Sequence, residues 1–255
     1  MSKVSSFFRH PLTKGIDVDA PESTLRRRAI IKEKSFLNKI YCEWYSLIAS
    51  ELRRPESQIL EIGSGAGFFH DHLPIIITSE VFLLEGVDRV EDATNLSFDD
   101  DSLDAIVMTD VFHHIPDVSQ FLTEALRTLR SGGQLIMIEP WNTRWARFFY
   151  RNFHPEPFEP TVADWRFPKG GPLSSANGAL PWVVFFRDKK IFEDENRGLG
   201  IKSVTPLMPM AYIASGGIST RLGLPGFAYK PIRFLERFIL REKGAMFALI
   251  SLEKN

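Results

Sequence analysis

The stretch ILEIGSGAGFF, from Ile59 to Phe69, decides the fold. It begins as an apolar run that predicts a buried strand, and it continues directly into Gly63, Gly65 and Gly67. Because glycine has no Cβ, such a turn bends sharply and lets backbone N–H groups approach a ligand closely. The stretch therefore predicts a strand followed by a turn that binds a nucleotide-like cofactor, although tight packing alone would also select glycine here.

The spacing of these glycines separates two classes of cofactor. A dinucleotide site needs G-x-G-x-x-G, but counting from Gly63 places Phe68 where the last glycine belongs. The sequence matches G-x-G-x-G instead, and Glu61 precedes the first glycine by two residues. A carboxylate at that position suits a cofactor with an ammonium and a sulfonium centre better than one with a pyrophosphate.

Acidic and small residues extend this pattern to residue 140. Glu80 follows the second predicted strand, 19 residues after Glu61, and Asp92 with Ala93 follows the third. Thr109 follows the fourth, and FLTEALRTLRSGGQLIMIEP supplies a helix, a Gly-Gly turn and a fifth strand. In this order, the segment 58–140 resembles the class I S-adenosylmethionine-dependent methyltransferases, with a type 11-like methyltransferase domain.

The resemblance implies a cofactor and the residues that hold it. S-adenosyl-L-methionine would place its ribose hydroxyls at Glu80, with Glu85 as a less well-placed competitor, and its adenine edge at Asp92 and Ala93. The implied cofactor-binding residues are Glu61, Gly63, Ser64, Gly65, Gly67, Glu80, Asp92, Ala93 and Thr109.

Short apolar runs alternate with helical ones, which predicts a doubly wound, Rossmann-like α/β fold. We expect a seven-stranded sheet, mostly parallel with an antiparallel last strand, helices on both faces, and insertions after the fifth and sixth strands. The predicted strands cover residues 58–62, 75–79, 87–91, 103–108, 134–139, 201–207 and 246–253. The predicted helices cover 24–52 (one long or two short), 118–129, 181–195 and 232–240, with a helix of one or two turns in 68–74.

We expect one methyltransferase domain over residues 1–255, divided into three parts. These are an N-terminal helical region (1–55), a cofactor-binding core (56–140) and a segment of substrate-side insertions and closing strands (141–255). The stretch 140–180 is rich in proline, glycine and aromatic residues without a period, which is typical of functional lids and binding loops. With 209–229, it should shape the acceptor pocket.

The composition argues against several other partners. Lys and Arg total 31 against 32 Asp and Glu, so no overall field attracts nucleic acid or an anionic membrane. Thr109-Asp110-Val111-Phe112 stands where amino-directed nucleic-acid enzymes of this class carry an Asn/Asp-Pro-Pro-aromatic motif. A single cysteine, Cys42, excludes an intramolecular disulfide, and no stretch predicts a signal peptide or a membrane span. We expect a cytoplasmic protein with no nucleic-acid partner, and we predict no metal site.

The catalytic candidates are histidines. Methyl transfer from a sulfonium is an in-line displacement, and it needs a general base when the acceptor is a hydroxyl. His113 and His114 follow the fourth predicted strand, so either is a candidate base, with packing against the cofactor as the alternative role. His154 lies in the long loop region and is either a further candidate or a surface histidine beside prolines. Asp110 would contact the cofactor amino group or cap the turn.

Two features near residue 150 have structural as well as functional interpretations. The aromatic run 141–153 has helical spacing and is expected to be core more than a substrate box, with its arginines on a solvated face. Asp164 and Arg166 would bind a polar acceptor or, as we favour, form a salt bridge that anchors a loop.

The segment 230–244 carries an apolar stripe among basic residues, formed by Ile232, Leu235, Phe238 and Ile239. Such a helix either docks on a membrane surface or covers the sheet, and we favour the second interpretation.

Three functions remain in competition. The favoured one is methyl transfer to a small-molecule or lipid/sugar-type acceptor, such as a cell-envelope precursor. An NAD(P)-dependent oxidoreductase is disfavoured by the glycine spacing and by Glu61. A non-catalytic protein that binds the cofactor as a scaffold would carry the same motifs. The sequence identifies neither the acceptor atom nor the oligomeric state.

Overall fold

A computed structural model of the chain describes residues 10–13, 15–54, 58–168, 170–240 and 243–255. Its central feature is a seven-stranded sheet with the strand order β3-β2-β1-β4-β5-β7-β6. The strands are β1 (Ile59–Ile62), β2 (Ile77–Glu80), β3 (Arg89–Val90), β4 (Leu103–Thr109), β5 (Leu129–Pro140), β6 (Leu199–Leu207) and β7 (Phe247–Lys254).

The direction of the strands confirms the predicted fold class. Strands β1 to β5 pair in parallel, and β7 lies antiparallel between β5 and β6. The strand order reverses between β1 and β4, so the loops at the carboxyl ends of these two strands diverge to opposite sides. In open α/β sheets, ligands bind in the crevice at this point.

The helices lie before, between and after these strands. They are α1 (Pro21–Glu33), α2 (Ser35–Glu51), α3 (Val118–Thr128), α4 (Arg144–Phe153), α5 (Leu180–Trp182), α6 (Lys189–Glu195), α7 (Ala211–Ser215) and α8 (Tyr229–Leu235). A π-helical turn joins α5 to α6, and another extends α8 through Glu236–Leu240. The stretch 24–52 thus belongs to two helices. Two 3₁₀ turns, Ser64–Ala66 and Phe69–Asp71, connect β1 to β2 without an α-helix, as the short crossover predicted.

Apolar side chains alternate between the two faces of the sheet. On β4, Ala105 and Val107 join one buried cluster, whereas Ile106 and Met108 join the other. The first cluster contains the buried aromatic residues of α2, and the second contains those of α3 and α6. Helices therefore cover both faces, and each face contributes its own half of the core.

One predicted boundary was wrong. The sequence Ser131-Gly132-Gly133 was expected to end helix α3, but it lies inside β5, which begins at Leu129. The pairing between β4 and β5 is irregular there, between Leu103 and Ala105, and Gly132 has a φ of 75°. Glycine thus permits a bulge in a long strand, which sequence reasoning took for a helix stop.

The aromatic run after β5 is only partly core. Ala146 and Tyr150 are buried, one turn apart on α4. Trp145, Phe148 and Phe153 are exposed, so the expectation of a buried run was wrong for these three. The helix touches the body of the protein along one narrow face, and its aromatic residues extend beyond that face.

The segment that begins at Lys230 also differs from its prediction. The buried residues of α8 and its extension include Arg233 and Glu236, whereas Phe238 of the predicted apolar stripe is exposed. The side chain of Ile239 lies outside the described residues. Across the described parts of the chain, the structure contains no helix with the length and apolar character of a bilayer span.

Candidate active site

A cavity of about 480 Å³ opens at the carboxyl ends of β1 to β4. Apolar and polar residues from all three predicted parts of the chain line it. The predicted site residues among them are Glu61, Gly63, Gly67, Glu80, Asp92, Ala93, Thr109 and His114. Ser64, Gly65 and His113 do not line this cavity.

The glycines of the loop are required by close contacts. Gly63 has a φ of 70°, and a Cβ there would lie 2.6 Å from a methyl group of Val111. A Cβ on Gly65 would meet the carboxylate of Glu80, and one on Gly67 would lie 2.8 Å from the hydroxyl of Tyr45. Tight packing therefore selects glycine here as well, but it does so at the edge of a cavity.

Orphaned polar atoms mark the cavity as a binding site. In the described residues, five buried side-chain N or O atoms have no hydrogen-bond partner. Three of them belong to residues that line this one cavity, namely Thr24, Glu61 and Thr109. Buried polar groups almost always have partners, so this cluster indicates a polar ligand. Thr24 was not predicted, because nothing in the local sequence of α1 places it opposite β1.

Glu61 is the most constrained of these groups. Its side chain is buried at the end of β1, and its Oε2 atom is one of the orphaned atoms. Burial raises the pKa of this carboxyl group to about 7, with the nearby Glu80 carboxylate acting in the same direction. A cationic group in the cavity would restore the carboxylate to its charged form.

Glu80 holds the glycine loop against β2. Its carboxylate accepts hydrogen bonds from the backbone N–H groups of Gly65, at 3.2 Å, and Val81, at 2.9 Å. Burial raises its pKa above the ordinary value. Arg28 of α1 donates to the carbonyl oxygen of Gly65 at 2.9 Å, which secures the loop from the opposite side.

Ser64 lies beneath the loop and connects two strands. Its hydroxyl donates to the carbonyl oxygen of Glu61 at 3.2 Å and accepts from the backbone N–H of Ser79 at 3.1 Å. Asp92, in contrast, is exposed, and its Oδ1 atom accepts bonds from Thr94. The side chain of Ser64 thus supports the loop, and Asp92 lies at the rim of the cavity.

His113 is buried behind the cavity between two carboxylates. Its Nδ1 atom lies 2.7 Å from Glu139 and its Nε2 atom lies 3.5 Å from Glu156. Burial alone would lower the pKa of His113, but the hydrogen bonds to these two carboxylates raise it well above its ordinary value. His113 is therefore an imidazolium with both ring nitrogens occupied, which is unsuited to accept a proton.

His114 has the opposite character. Its Nδ1 atom lies 3.0 Å from the carbonyl oxygen of Ser175, which only accepts hydrogen bonds, so Nδ1 carries the proton. Burial, together with the neighbouring charge of His113, lowers the pKa of His114 to about 4. The ring is therefore neutral near pH 7. Its Nε2 lone pair faces the polar end of the cavity, 4.0 Å from Glu156.

Glu156 was missed as a site residue by the sequence analysis. It lines the cavity, and His154 lies behind it, 3.7 Å from its carboxylate, against a smaller cavity. Burial opposes ionisation, but the hydrogen bond from His113 and the neighbouring histidines together outweigh it and lower the pKa of Glu156 far below its usual range. Its only sequence signal was its position two residues after His154.

Asp110 completes the polar end of the cavity. It adopts a φ of 63°, which is strained for a residue with a side chain. Burial raises the pKa of Asp110 to about 7, although the charge of His113 opposes the shift. Strained backbone and a shifted pKa often occur together at functional positions.

Two groups of side chains offer metal-ligand geometry in the described structure. His113, His114 and Glu156 bring one ligand atom each within 4.8 Å of the others, and so do Asp110, His113 and Glu139. The two ring nitrogens of His113 already pair with Glu139 and Glu156, one carboxylate of each group, so we assign no metal to either.

Asp164 and Arg166 do not line the cavity. Their charged atoms lie 3.7 Å apart on the surface, and Arg166 also lies 3.9 Å from Asp117 at the start of α3. This arrangement agrees with the loop-anchor interpretation.

Comparison with known proteins identifies the central segment. Residues 60–137 match the family model described as "Methyltransferase domain". The chain contains a methyltransferase domain. This methyltransferase domain begins in β1 and ends in β5, and it includes every predicted cofactor-binding residue. The resemblance stated from the sequence is confirmed.

Curated relatives match the methyltransferase domain over short segments. A phthiotriol/phenolphthiotriol dimycocerosates methyltransferase of Mycobacterium ulcerans is 44% identical over 54 residues, which cover 21% of this chain and 20% of the relative. A 2-methyl-6-phytyl-1,4-hydroquinone methyltransferase of Synechocystis is 36% identical over 80 residues, covering 31% and 25%. The match thus spans a quarter or less of the length of these two relatives.

Solved structures extend the similarity to the whole fold. Geranyl diphosphate C-methyltransferase of Streptomyces coelicolor superposes with a TM-score of 0.55 at 14% identity, over 97% of this chain and 92% of that chain. A geranyl diphosphate methyltransferase in complex with S-adenosylmethionine gives 0.53 at 13% identity, over 95% and 92%. At such identities, the comparison establishes that the methyltransferase domain and its flanking segments share the Rossmann-like methyltransferase fold.

Proposed function

We propose that the chain is an S-adenosylmethionine-dependent methyltransferase that methylates a hydroxyl group of an apolar small-molecule or lipid/sugar-type acceptor. The observation that carries the proposal is the cavity at the strand ends, which is lined by three residues with orphaned polar atoms and by Gly63 and Gly67 of the glycine loop. The names of two relatives support it, since they designate methyltransferases of phthiotriol/phenolphthiotriol dimycocerosates and of a phytyl-bearing hydroquinone.

The residues at the strand ends fit this cofactor. We assign Glu61 to its ammonium group, because a buried carboxyl group with an unpartnered oxygen gains from a cation. Glu80 would bind the ribose hydroxyls, and Asp92 with Ala93 would contact the adenine edge, at the rim of the cavity. Thr109 supplies an unpartnered hydroxyl between these groups and the polar end. When bound, S-adenosylmethionine supplies an electrophilic methyl group on a sulfonium sulfur.

The polar end of the cavity supplies the base. In our proposal, Nε2 of His114 accepts the proton of the acceptor hydroxyl while the acceptor oxygen takes the methyl group. Glu156, 4.0 Å away, stabilises the imidazolium that forms. His113 and Glu139 position Glu156 but do not touch the reacting atoms.

The remaining walls indicate an apolar acceptor. They come from the N-terminal helices, the β4 loop and both insertions, and they include Pro21, Tyr41, Val111, Ile115, Leu173 and Ile218. We therefore propose that the three parts of the chain form one functional domain, in which residues 1–55 and 141–255 build the acceptor half. We retain the predicted cytoplasmic location as part of this proposal.

Calorimetry with S-adenosylmethionine and S-adenosylhomocysteine tests the cofactor site. We expect both to bind wild-type protein at micromolar concentration, with NAD and NADP giving no heat. Glu80→Ala should weaken binding at least about 10-fold through loss of the ribose contact, which is a change of about 1.4 kcal/mol. Glu85→Ala is the matched control, because that acid is exposed and outside the cavity. Folded wild-type protein that binds neither sulfur compound would contradict the proposal.

A further inference from the structure

The segment 222–240 exposes aromatic side chains along one side. Phe227 is 82% exposed, Phe234 63% and Phe238 65%. They are spaced by seven and four residues, so they share one face of the helical turn Gly226–Ala228, helix α8 and its extension. The rings of Phe234 and Phe238 lie 4.6 Å apart. We call these three residues the aromatic stripe.

The opposite side of the same segment is buried and combines apolar with ionic contacts. Arg233 lies 2.5 Å from the carboxylate of Glu43 on α2 and also pairs with Glu236. Glu236 in turn accepts hydrogen bonds from the backbone N–H groups of Met210 and Ala211, both at 2.5 Å. On the same side, Tyr229 and Ile232 pack against the hydrophobic core. These contacts fix the rotation of the helix and hold the aromatic stripe in solvent.

Basic side chains lie on and beside the segment that carries the aromatic stripe. Lys230 and Arg237 are exposed on the segment, and Lys34 and Lys39 donate to its carbonyl oxygens at Leu222 and Gly226. Arg237 also lies 3.0 Å from Glu43, whereas Arg233 is buried on the opposite side. An aromatic face with a basic surround is complementary to anionic headgroups above acyl chains.

The same charges argue against a second copy of the chain as the occupant. A two-fold interface centred on the aromatic stripe would bring identical surfaces together. Exposed Lys230 and Arg237 of one copy would then approach those of the other, which is unfavourable. An anionic lipid surface meets both the apolar and the cationic groups.

We propose that the segment 222–240 docks on an anionic lipid bilayer, with the aromatic stripe inserted at the boundary between headgroups and acyl chains. Leu222 and Leu224 are also exposed and extend the apolar surface. Ile218, four residues before Leu222, lines the cavity, so docking places the cavity beside the membrane. Binding to the bilayer itself requires no methyl transfer.

Sedimentation with lipid vesicles tests the docking surface. We expect wild-type protein to pellet with vesicles of phosphatidylglycerol and phosphatidylcholine, and at least about 10-fold less with phosphatidylcholine alone. The double variant Phe234→Ser with Phe238→Ser should lose at least about 10-fold in affinity for the anionic vesicles. Lys230→Glu should reduce binding and its dependence on salt. Ile191→Ser is the matched control, because Ile191 is exposed on α6, against the other face of the sheet.

Two results in the vesicle assay would overturn the proposal: wild-type protein that does not pellet, or a double variant that pellets as well as wild type. A third is a wild-type dimer in light scattering that the double substitution dissociates but anionic vesicles do not. Thermal melts should show that every variant folds. If the proposed enzyme function were wrong, calorimetry would detect no binding of S-adenosylmethionine, whereas the protein would still bind anionic vesicles.

Discussion

The Nδ1 atom of His113 lies 2.7 Å from Oε2 of Glu139, and neither side chain is more than 1% exposed. The other carboxylate oxygen of Glu139 accepts hydrogen bonds from the backbone N–H groups of Val111, at 2.7 Å, and Phe112, at 2.8 Å. A single side chain on β5 thus fixes both the turn after β4 and the imidazolium behind the cavity. His114 follows directly in the chain, so its orientation depends on this contact.

Removing the charge of Glu139 should therefore destabilise the protein. Glu139→Gln leaves a buried imidazolium beside a neutral amide, and we expect a loss of about 3 kcal/mol in the free energy of unfolding. Chemical denaturation measures it. Glu159→Gln, at an exposed position, should change the free energy of unfolding by less than about 1 kcal/mol. Equal effects for the two variants would show that His113 is not charged in the fold.

Substitution of His114 separates its catalytic role from a packing role. His114→Gln should lower kcat by about 100-fold to 10,000-fold for a hydroxyl acceptor, because the base is lost. The affinity for S-adenosylhomocysteine should stay within about 3-fold of wild type, since the ring contacts the acceptor half. His70→Gln, on an exposed residue, is the control. An unchanged kcat with weaker cofactor binding would assign His114 to packing against the cofactor.

Cofactor binding should depend on pH through Glu61. Because the pKa of Glu61 is raised to about 7 in the free protein, much of the population is protonated below that pH. The cofactor ammonium favours the carboxylate, so binding releases a proton and affinity rises between about pH 5.5 and 8. Calorimetry in two buffers of different ionisation enthalpy measures the proton release.

Glu61→Gln should abolish that proton release and weaken binding, whereas Glu85→Gln should leave both as in wild type. Glu61→Gln is informative because Asp110 also has a pKa raised to about 7 and lines the same cavity. Proton release that survives in Glu61→Gln would assign the linkage to Asp110 instead.

Glu43 should contribute stability that is lost in acid. Burial opposes ionisation of Glu43, but the hydrogen bonds from Arg233, Tyr229 and Arg237 and the charge of Arg233 together outweigh it and lower the pKa of Glu43 to about 2. A carboxyl group with a depressed folded-state pKa stabilises the fold above its ordinary pKa of about 4.5, and that contribution disappears as pH falls to about 2. We expect about 1–2 kcal/mol after allowance for partial exposure to solvent.

Thermal melts of wild type and Glu43→Gln between pH 7 and pH 2 test this expectation. The difference in stability between them should shrink over the interval from about pH 4.5 to pH 2. A difference that stayed constant across that interval would show that the carboxylate of Glu43 is not specifically stabilised by Arg233.

Much of the cofactor half could be predicted because its signals are local. A buried strand followed by Gly63, Gly65 and Gly67 predicts a tight turn at the end of that strand. Parallel strands place their carboxyl ends at the same edge of a sheet. Glu61 and Glu80 therefore had to lie near the loop. The structure added the reason for each glycine, such as the contact of Gly63 with Val111.

The acceptor half was not predictable in the same way. Glu156 reaches His113 and His114 from an insertion without periodicity, and Thr24 faces the cavity from a helix far from the glycine loop in sequence. No local pattern specifies which side chain an irregular segment will bring to a distant strand.

The sequence by itself determined the sheet, its strand-end cavity and most residues proposed for the cofactor, because backbone geometry and side-chain period are properties of neighbouring residues. The tertiary structure decided which histidine is charged, which is neutral, and which side of α8 faces water. Those outcomes depend on partners such as Glu139, Glu156 and Glu43, and on the loss of water around them. Desolvation and pairing exist only once distant segments are packed together.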